Sequence, residues 1–175
     1  CISFAKKRGW FTGKDEDFSF ADAYCPADFS GRRICDARVW AFFNKFKSGM
    51  ERYLPWAEGK QADAEPLPLY VVPDRKLTLQ DVQATMRDHF ENTPFAMDVA
   101  NGDPGNGVWD MPYRPTPLSF KYEGKEYFNE RPISTQQAAF SIIAELRSWL
   151  PRELGSLLWF GNDDGNMVAY TPVYG

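Results

Sequence analysis

Residues 127–174 read Tyr127-Phe-Asn-Glu-Arg-Pro-Ile-Ser-Thr-Gln-Gln137-Ala-Ala-Phe-Ser-Ile-Ile-Ala-Glu-Leu-Arg147-Ser-Trp-Leu-Pro151, then Arg-Glu-Leu-Gly-Ser, then Leu157-Leu-Trp-Phe-Gly-Asn-Asp-Asp-Gly165-Asn-Met-Val-Ala-Tyr-Thr-Pro-Val-Tyr174. Apolar runs alternate with turn chemistry, at Pro151–Gly155 and again at Asn162–Gly165. Consecutive antiparallel strands have this pattern. Polar residues interrupt the runs at Gln136, Gln137, Glu145 and Arg147, so at least one sheet face is not plain core. Strands are expected at about 136–147, 156–161 and 167–172. The first is ambiguous, because Ala139, Ile142, Ile143, Leu146, Trp149 and Leu150 also fit one helix face. Upstream, Leu118–Tyr122 and Lys125–Asn129 flank Glu123-Gly124 and read as a hairpin.

The chain has 175 residues, enough for one domain with a core. Its 43% hydrophobic and 16% aromatic content marks a globular chain rather than a disordered one. Net charge is -4 and no run of Lys and Arg forms a basic stripe, which argues against a nucleic-acid partner. No apolar stretch reaches the ~20 residues of a membrane span. The cysteines are Cys1, Cys25 and Cys35, an odd number without a Cys-x-x-Cys. That count disfavours both a disulfide framework and a cysteine zinc site. Cys25 and Cys35 could still form one disulfide in an exported protein.

Ahead of the hairpin the pattern turns helical. Lys6-Lys-Arg-Gly9 reads as the last turn of a helix and its C-cap. Residues 10–31 read as a loop, with Trp10, Phe11, Phe18, Phe20, Tyr24 and Phe29 interleaved with acids. Such a loop could hold a substrate amine or a calcium ion, or be a surface loop pinned by its rings. Ser30 is placed to cap a helix over 32–48. Its apolar stripe would be Cys35, Val39, Phe42, Phe43, Phe46 and Met50, with Arg38 on the stripe's border and Arg33 pointing away. Residues 51–68 read as linker and Leu69–Val72 as a short strand. Thr78 caps a second helix with Asp81 at the capping-box position, ending by Asn92 before Pro94. Its apolar face would be Leu79, Val82, Met86 and Phe90. Residues 94–117 form a long loop of the kind that is often functional.

Several chemistries are missing their residues. His89 is the sole histidine, and nothing in sequence pairs it with a nucleophile, so it reads as a boundary residue of the second helix. There is no His-Glu-x-x-His, P-loop or Gly-x-Gly-x-x-Gly. Asn162-Asp-Asp-Gly165 begins like a calcium loop but lacks the downstream Glu, and reads first as a hairpin turn.

The segments Phe128-Asn-Glu-Arg131, Ser134-Thr-Gln-Gln137, Leu146-Arg-Ser-Trp-Leu-Pro151 and Trp159-Phe-Gly161 resemble bacterial dipeptidases of the dipeptidase A type, which are N-terminal-nucleophile cysteine hydrolases. Gly13-Lys-Asp-Glu-Asp-Phe-Ser-Phe20, Cys35-Asp-Ala-Arg-Val-Trp40, Pro73-Asp-Arg-Lys-Leu77 and Arg87-Asp-His-Phe90 agree with it in order. The resemblance, with the β composition of residues 140–143, selects strand for the ambiguous run. It implies an α+β fold, with antiparallel strands and helices packed on one face, as part of an αββα sandwich. It also implies that residues 1–175 are a single C-terminal segment of a larger dipeptidase domain, which hydrolyses dipeptides through an N-terminal cysteine thiol.

In that family the nucleophilic cysteine opens a strand and its own α-amine, with a pKa near ~7.7–8.0, acts as base. Cys1 instead precedes a helix end, so the nucleophile is expected outside this chain. The partner would be the remaining N-terminal part of the same protein, or another chain. Alone, the chain would expose an apolar face or pair, and would lack peptidase activity. Related amidases use an arginine in a Ser-Arg-Phe-Val-like segment, which Ala37-Arg38-Val39-Trp40 resembles. The carry-over is to Arg38, whose guanidinium would meet an oxyanion or a substrate carboxylate. By residue chemistry alone, Arg38 also reads as a border arginine covering apolar surface with its stem. Asn129, Arg131 and Gln137 are weaker candidates. No cofactor or metal is implied. Two other readings stand beside this one. One is a non-catalytic, aromatic-rich module for peptide or glycan. The other is an amidase or acylase of the same clan with Cys1 as nucleophile.

Overall fold

The computed structural model describes residues 1–25, 27–96, 119–128, 131–135 and 137–174. The expected long loop at 94–117 falls almost wholly outside these, as do Asn129 and Gln136. The described elements run from helices to antiparallel sheet, an α+β arrangement.

Helix α1 (Ile2–Arg8) ends as its sequence dictates. Gly9 adopts φ 74°, its N–H returns to the carbonyls of Ala5 and Lys6, and Lys6, Lys7 and Arg8 occupy the last turn. The stretch 10–31 is more ordered than a loop. It holds a 3₁₀ turn at Asp15–Asp17, helix α2 (Phe20–Tyr24) capped by Ser19, and helix α3 (Phe29–Gly31). The cap of α3 is Asp28, whose carboxylate accepts from Gly31 N at 2.7 Å, and not Ser30. The chain then widens through a π turn at Arg32–Asp36 and continues as α4 (Ala37–Phe46).

That π turn corrects the helix phase. Helix α4 is apolar nearly all round, and the core takes Ala37, Trp40 and Ala41, one face at i, i+3 and i+4. Most of the expected stripe lies off that face: Cys35 and Val39 are exposed and Phe42 and Phe46 half-buried, while Phe43 packs against the core and Met50 belongs to it. Arg33 lies on the buried side, its guanidinium 4.3 Å from the Phe95 ring, and burial pushes its pKa down. Residues 50–58 are helical and not linker: a 3₁₀ turn at Met50–Tyr53 leads into α5 (Leu54–Glu58), with Pro55 in the first turn where it costs no hydrogen bond. Trp40 donates to the Met50 carbonyl at 2.9 Å, and Trp40, Phe90 and Phe95 meet edge to face. Together with Met50, Tyr53 and Ala57 they form a core built entirely from residues 37–95.

Leu69–Val72 pairs with no strand among the described residues, and Leu69 is 94% exposed. Its β-like composition has nothing to ladder against. The adjoining Pro73–Leu77 segment is a staple. Asp74 accepts from Lys47 Nζ (2.5 Å), Ser48 N (2.7 Å) and Ser48 Oγ (2.7 Å), clamping the end of α4. Arg75 grips Asp81 with two bonds of 2.7 Å at the start of α6 (Leu79–Met86). The capping box of Thr78 and Asp81 is present as expected, but α6 stops at Met86 and not near Asn92.

Glu123 and Gly124 both take positive φ, which turns β1 (Ser119–Tyr122) into β2 (Lys125–Phe128), with Phe120 stacked on Tyr127. The tail forms a three-stranded antiparallel sheet in the order β3 (Phe140–Leu146), β4 (Ser156–Asn162), β5 (Thr171–Tyr174). Between β3 and β4 lies the short helix α7 (Arg152–Gly155). The expected strands are all there, the third displaced toward the C-terminus. Register puts Ser141, Ile143, Glu145, Leu157 and Trp159 on one face, where Leu77, Leu79 and Val82 at the start of α6 approach Ile143. The opposite face carries Phe140, Ile142, Ala144, Leu146, Leu158, Phe160 and Val173. No helix covers it among the described residues, and Leu146 is 75% exposed.

Candidate functional site

Arg38 leaves α4 on the side away from the core. With Cys35, Val39, Phe42 and Phe43, and with Ile133 from across the chain, it lines an open groove of about 520 Å³. Its Nε donates to the Ile34 carbonyl at 2.7 Å, one residue past the first half of the π turn. This bond fixes the guanidinium plane and leaves the Nη groups toward the groove, where Nη2 lies 4.0 Å from Cys35 Sγ. Four apolar side chains and one guanidinium suit a small molecule with an apolar body and a single negative charge. Among the predicted site residues only Arg38 lines this groove. Arg131 and Gln137 do not, and Gln137 instead accepts a hydrogen bond from Thr135. Asn129 lies outside the described residues. Cys35 was read as part of an apolar stripe, as a possible disulfide partner and as the start of the Cys35–Trp40 segment but not as a groove residue, and Ile133 carried no signal.

The groove depends on the turn that follows α6. Residues 86–91 form a buried polar knot, in which Phe90 takes φ 65° yet is fully buried. Such backbone costs a bulky residue on the order of 1–3 kcal/mol and needs support from its surroundings. Asp88 accepts from Phe90 N at 3.0 Å, and Glu91 accepts from His89 N at 2.9 Å. Lys45 Nζ, at the end of α4, lies 2.5 Å from the buried Asp88 carboxylate. Burial pushes Asp88 upward, with Lys45 opposing and Glu91 adding to the rise. For Glu91, burial is outweighed by hydrogen bonds from His89 and Asp88, which bring it down to about 2. His89 is therefore no boundary residue: it is 2% exposed, with Nδ1 3.2 Å from Glu91 Oε1. The helix ends three residues before it, so its position along the helix stripe carried no information.

The same turn ties the two halves of the chain together. Ser134 N donates to the Asp88 carbonyl at 3.0 Å, which places Ile133 over α4. Ser134 Oγ donates to Asp164 and accepts from Asn166 N at 2.9 Å. Arg87 reaches the Val168 carbonyl at 3.0 Å. Gly165 packs against this turn so closely that a Cβ there would stand 2.1 Å from the Met86 carbonyl oxygen. The expected turn at Asn162–Gly165 is shifted toward the C-terminus: Asn162 ends β4, Asp163 takes φ 80°, Met167 N donates to the Asp164 carbonyl at 2.9 Å, and Asp164 is a buried joint residue that the turn reading missed.

Cys1 is exposed and starts α1, its carbonyl accepting from the Tyr24 hydroxyl at 2.7 Å. Cys25 and Cys35 are likewise exposed and unbridged. No group of three His, Cys, Asp or Glu that could hold a metal ion occurs among the described residues. No helix among them is long and apolar enough to cross a membrane.

A family model described as Peptidase family C69 matches residues 1–175. This chain belongs to peptidase family C69. A probable dipeptidase from Salmonella dublin is 21% identical over 173 residues, covering 99% of this chain and 33% of that relative. The C69 chain described here therefore spans about a third of the length of the curated relative it matches. No solved structure matches it. Two of the segments that resemble dipeptidases have structural roles: Pro73–Leu77 is the α4–α6 staple, and in Cys35–Trp40, Asp36 accepts from Trp56 Nε1 at 2.7 Å. The same Cys35–Trp40 segment also carries Arg38.

Proposed function

We propose that this C69 chain is one part of a cysteine dipeptidase, and that it supplies the groove in which Arg38 holds the substrate's negative charge. The observation that carries this reading is the family match over the whole chain, with a probable dipeptidase aligned along 99% of it. The reaction is amide hydrolysis in two steps. A cysteine thiol gives its proton to the neighbouring amine and its sulfur attacks the peptide carbonyl carbon. The C–N bond then breaks, the leaving amine takes the proton, and a thioester remains. Water hydrolyses that thioester and restores the thiol.

The nucleophile lies outside these 175 residues. Supporting this, Cys1 stands at the start of a helix with its carbonyl held by Tyr24. The relative is also about three times as long as the stretch it shares with this chain. The rest of the protein covers the bare face of the β3–β4–β5 sheet, which belongs to a sandwich of the N-terminal-nucleophile type. Arg38 pairs with the dipeptide's C-terminal carboxylate, and Val39, Phe42, Phe43 and Ile133 take the adjoining side chain.

Kinetics of Arg38→Ala in the full-length protein test this. A charge-assisted bond of about 1.5–3 kcal/mol predicts a loss of roughly 10- to 150-fold in kcat/KM, mostly through KM. Dipeptide amides, which lack the carboxylate, should be hydrolysed equally by both forms. An equal loss on both substrates, or a loss confined to kcat, would remove Arg38 from this role.

A further inference from the structure

Six aromatic side chains of the first 24 residues touch in one network. Phe4 meets Trp10 at 5.7 Å, and Trp10 meets Tyr24 at 5.4 Å and 82°. Tyr24 stacks on Phe20 at 4.6 Å and 14°, and Phe18 joins Tyr24 to Phe11. Rings in contact this way could be an ordinary small cluster. Two details set this one apart. Trp10 remains half exposed, and Tyr24 is fixed on three sides, by Phe20, by Trp10 and by the bond from its hydroxyl to the Cys1 carbonyl. Their near-perpendicular planes leave a corner bounded by a face of each ring. That corner is an open cavity of about 370 Å³ lined by Trp10, Asp22, Ala23 and Tyr24.

Charge completes the corner. Asp22 is exposed and its carboxylate makes no ion pair among the described residues, while its backbone N–H is taken by the Ser19 cap. The chain's own cations already sit on neighbouring rings, Lys6 over Phe11 at 5.7 Å and Arg8 over Phe4 at 5.2 Å. Lys6 is further held by Asp15 at 2.7 Å. No described cation lies over Trp10 or Tyr24, the two rings that share their corner with Asp22. A positive charge against aromatic faces is attracted by the ring quadrupole, and a carboxylate at the rim adds a counter-charge.

We propose that the Trp10–Tyr24–Asp22 corner is a binding site for an organic ammonium group, separate from the Arg38 groove, with which it shares no lining residue. The two rings take the alkyl-substituted cation and Asp22 faces its charge. A methylated ammonium fits better than a bare one, because its spread charge is cheaper to desolvate and its methyl groups bury against the rings.

The test uses the full-length protein, with choline as probe and 3,3-dimethylbutan-1-ol as its uncharged isostere, followed by calorimetry and by the Trp10 indole N–H resonance. Choline should saturate the site at roughly 10–50 mM, and the isostere should bind at least ~10-fold more weakly. Asp22→Asn keeps its backbone cap and should fold normally, yet weaken choline by ~5-fold or more, with the difference shrinking in ~0.5 M salt. Trp10→Leu should abolish saturation. Equal affinity for choline and the alcohol, no saturation by ~100 mM choline, or unchanged choline affinity in Asp22→Asn would each overturn the proposal. Turnover plays no part in these readings, so their failure leaves the peptidase assignment untouched.

Discussion

The helical residues 37–95 and the sheet residues 140–174 solve the same problem to different degrees. The helical region closes on itself: Trp40, Met50, Tyr53, Phe90 and Phe95 share one core, and the staple at Asp74, Arg75 and Asp81 holds its ends. The sheet closes on one side only. Ile143 and Leu157 are buried, whereas Phe140, Ile142, Leu146, Leu158 and Val173 stand exposed on the other face. A sheet needs a second layer on any apolar face it presents. The difference teaches that the helical region is stabilised by its own core, whereas one face of the sheet buries no apolar layer among the described residues.

Truncations of equal kind in the two regions should therefore separate widely. Trp40→Ala removes a buried indole and its bond to the Met50 carbonyl, and should cost about 3–5 kcal/mol in urea denaturation. Leu158→Ala, on the bare face, should cost under about 1 kcal/mol in the 175-residue chain. Similar losses at both positions would mean that the sheet face is packed after all. The joint comes next. Gly165→Ala forces a Cβ against the Met86 carbonyl oxygen and should destabilise by about 3 kcal/mol, because that oxygen belongs to backbone and cannot swing aside. A neutral Gly165→Ala would show that the two regions move independently.

The open face gives the sharpest contrast between contexts. Ile142→Lys should leave the stability of the 175-residue chain almost unchanged and reduce its binding of a hydrophobic dye. In the full-length protein the same change should cost about 2 kcal/mol, the burial energy of one such side chain. Equal effects in both settings would contradict coverage of the sheet by the rest of the protein.

The smallest effect concerns pH and belongs to the helical region. Hydrogen bonds from Lys47 and Ser48 hold Asp74 well below the usual carboxylate range, and Arg75 and Thr78 do the same for Asp81. A depressed folded-state pKa contributes stability that is complete above the unfolded value of about 3.9 and is lost as the pH falls toward the folded value. Melting temperatures recorded from pH 5 to pH 2 should fall less steeply for an Asp74→Asn, Asp81→Asn double variant than for the native chain. Parallel curves would show that the staple is not electrostatic.

Much of this was readable from local sequence because it has local causes. Gly9 after three cations, Thr78 with Asp81, and Glu123-Gly124 each fix a backbone event within four residues. The tail strands followed from turns at Pro151–Gly155 and Asn162–Gly165. What escaped depends on contacts across the chain. The π turn at Arg32–Asp36 is held by Asp36 to Trp56 and by Arg32 stacked 3.8 Å over the same indole, and it decides which side of α4 is buried. Leu69–Val72 has strand composition, but pairing requires a neighbour. His89 is buried because Phe90 turns with positive φ, which side-chain periodicity does not encode. At the site, helical spacing on α4 placed Arg38 beside Val39 and Phe42 but took their stripe for the buried one, whereas the core takes Ala37, Trp40 and Ala41. Ile133 was not legible, since its place over the groove is set by Ser134 bonding to Asp88.

This C69 chain is proposed to serve a thiol located elsewhere in the protein. Full-length protein treated with a dipeptide chloromethyl ketone, digested and mapped by mass spectrometry, tests it directly. A single alkylated cysteine outside residues 1–175 is expected, with Cys1, Cys25 and Cys35 unmodified and the labelling slowed by Arg38→Ala. Stoichiometric alkylation of Cys1, with loss of dipeptidase activity, would contradict it.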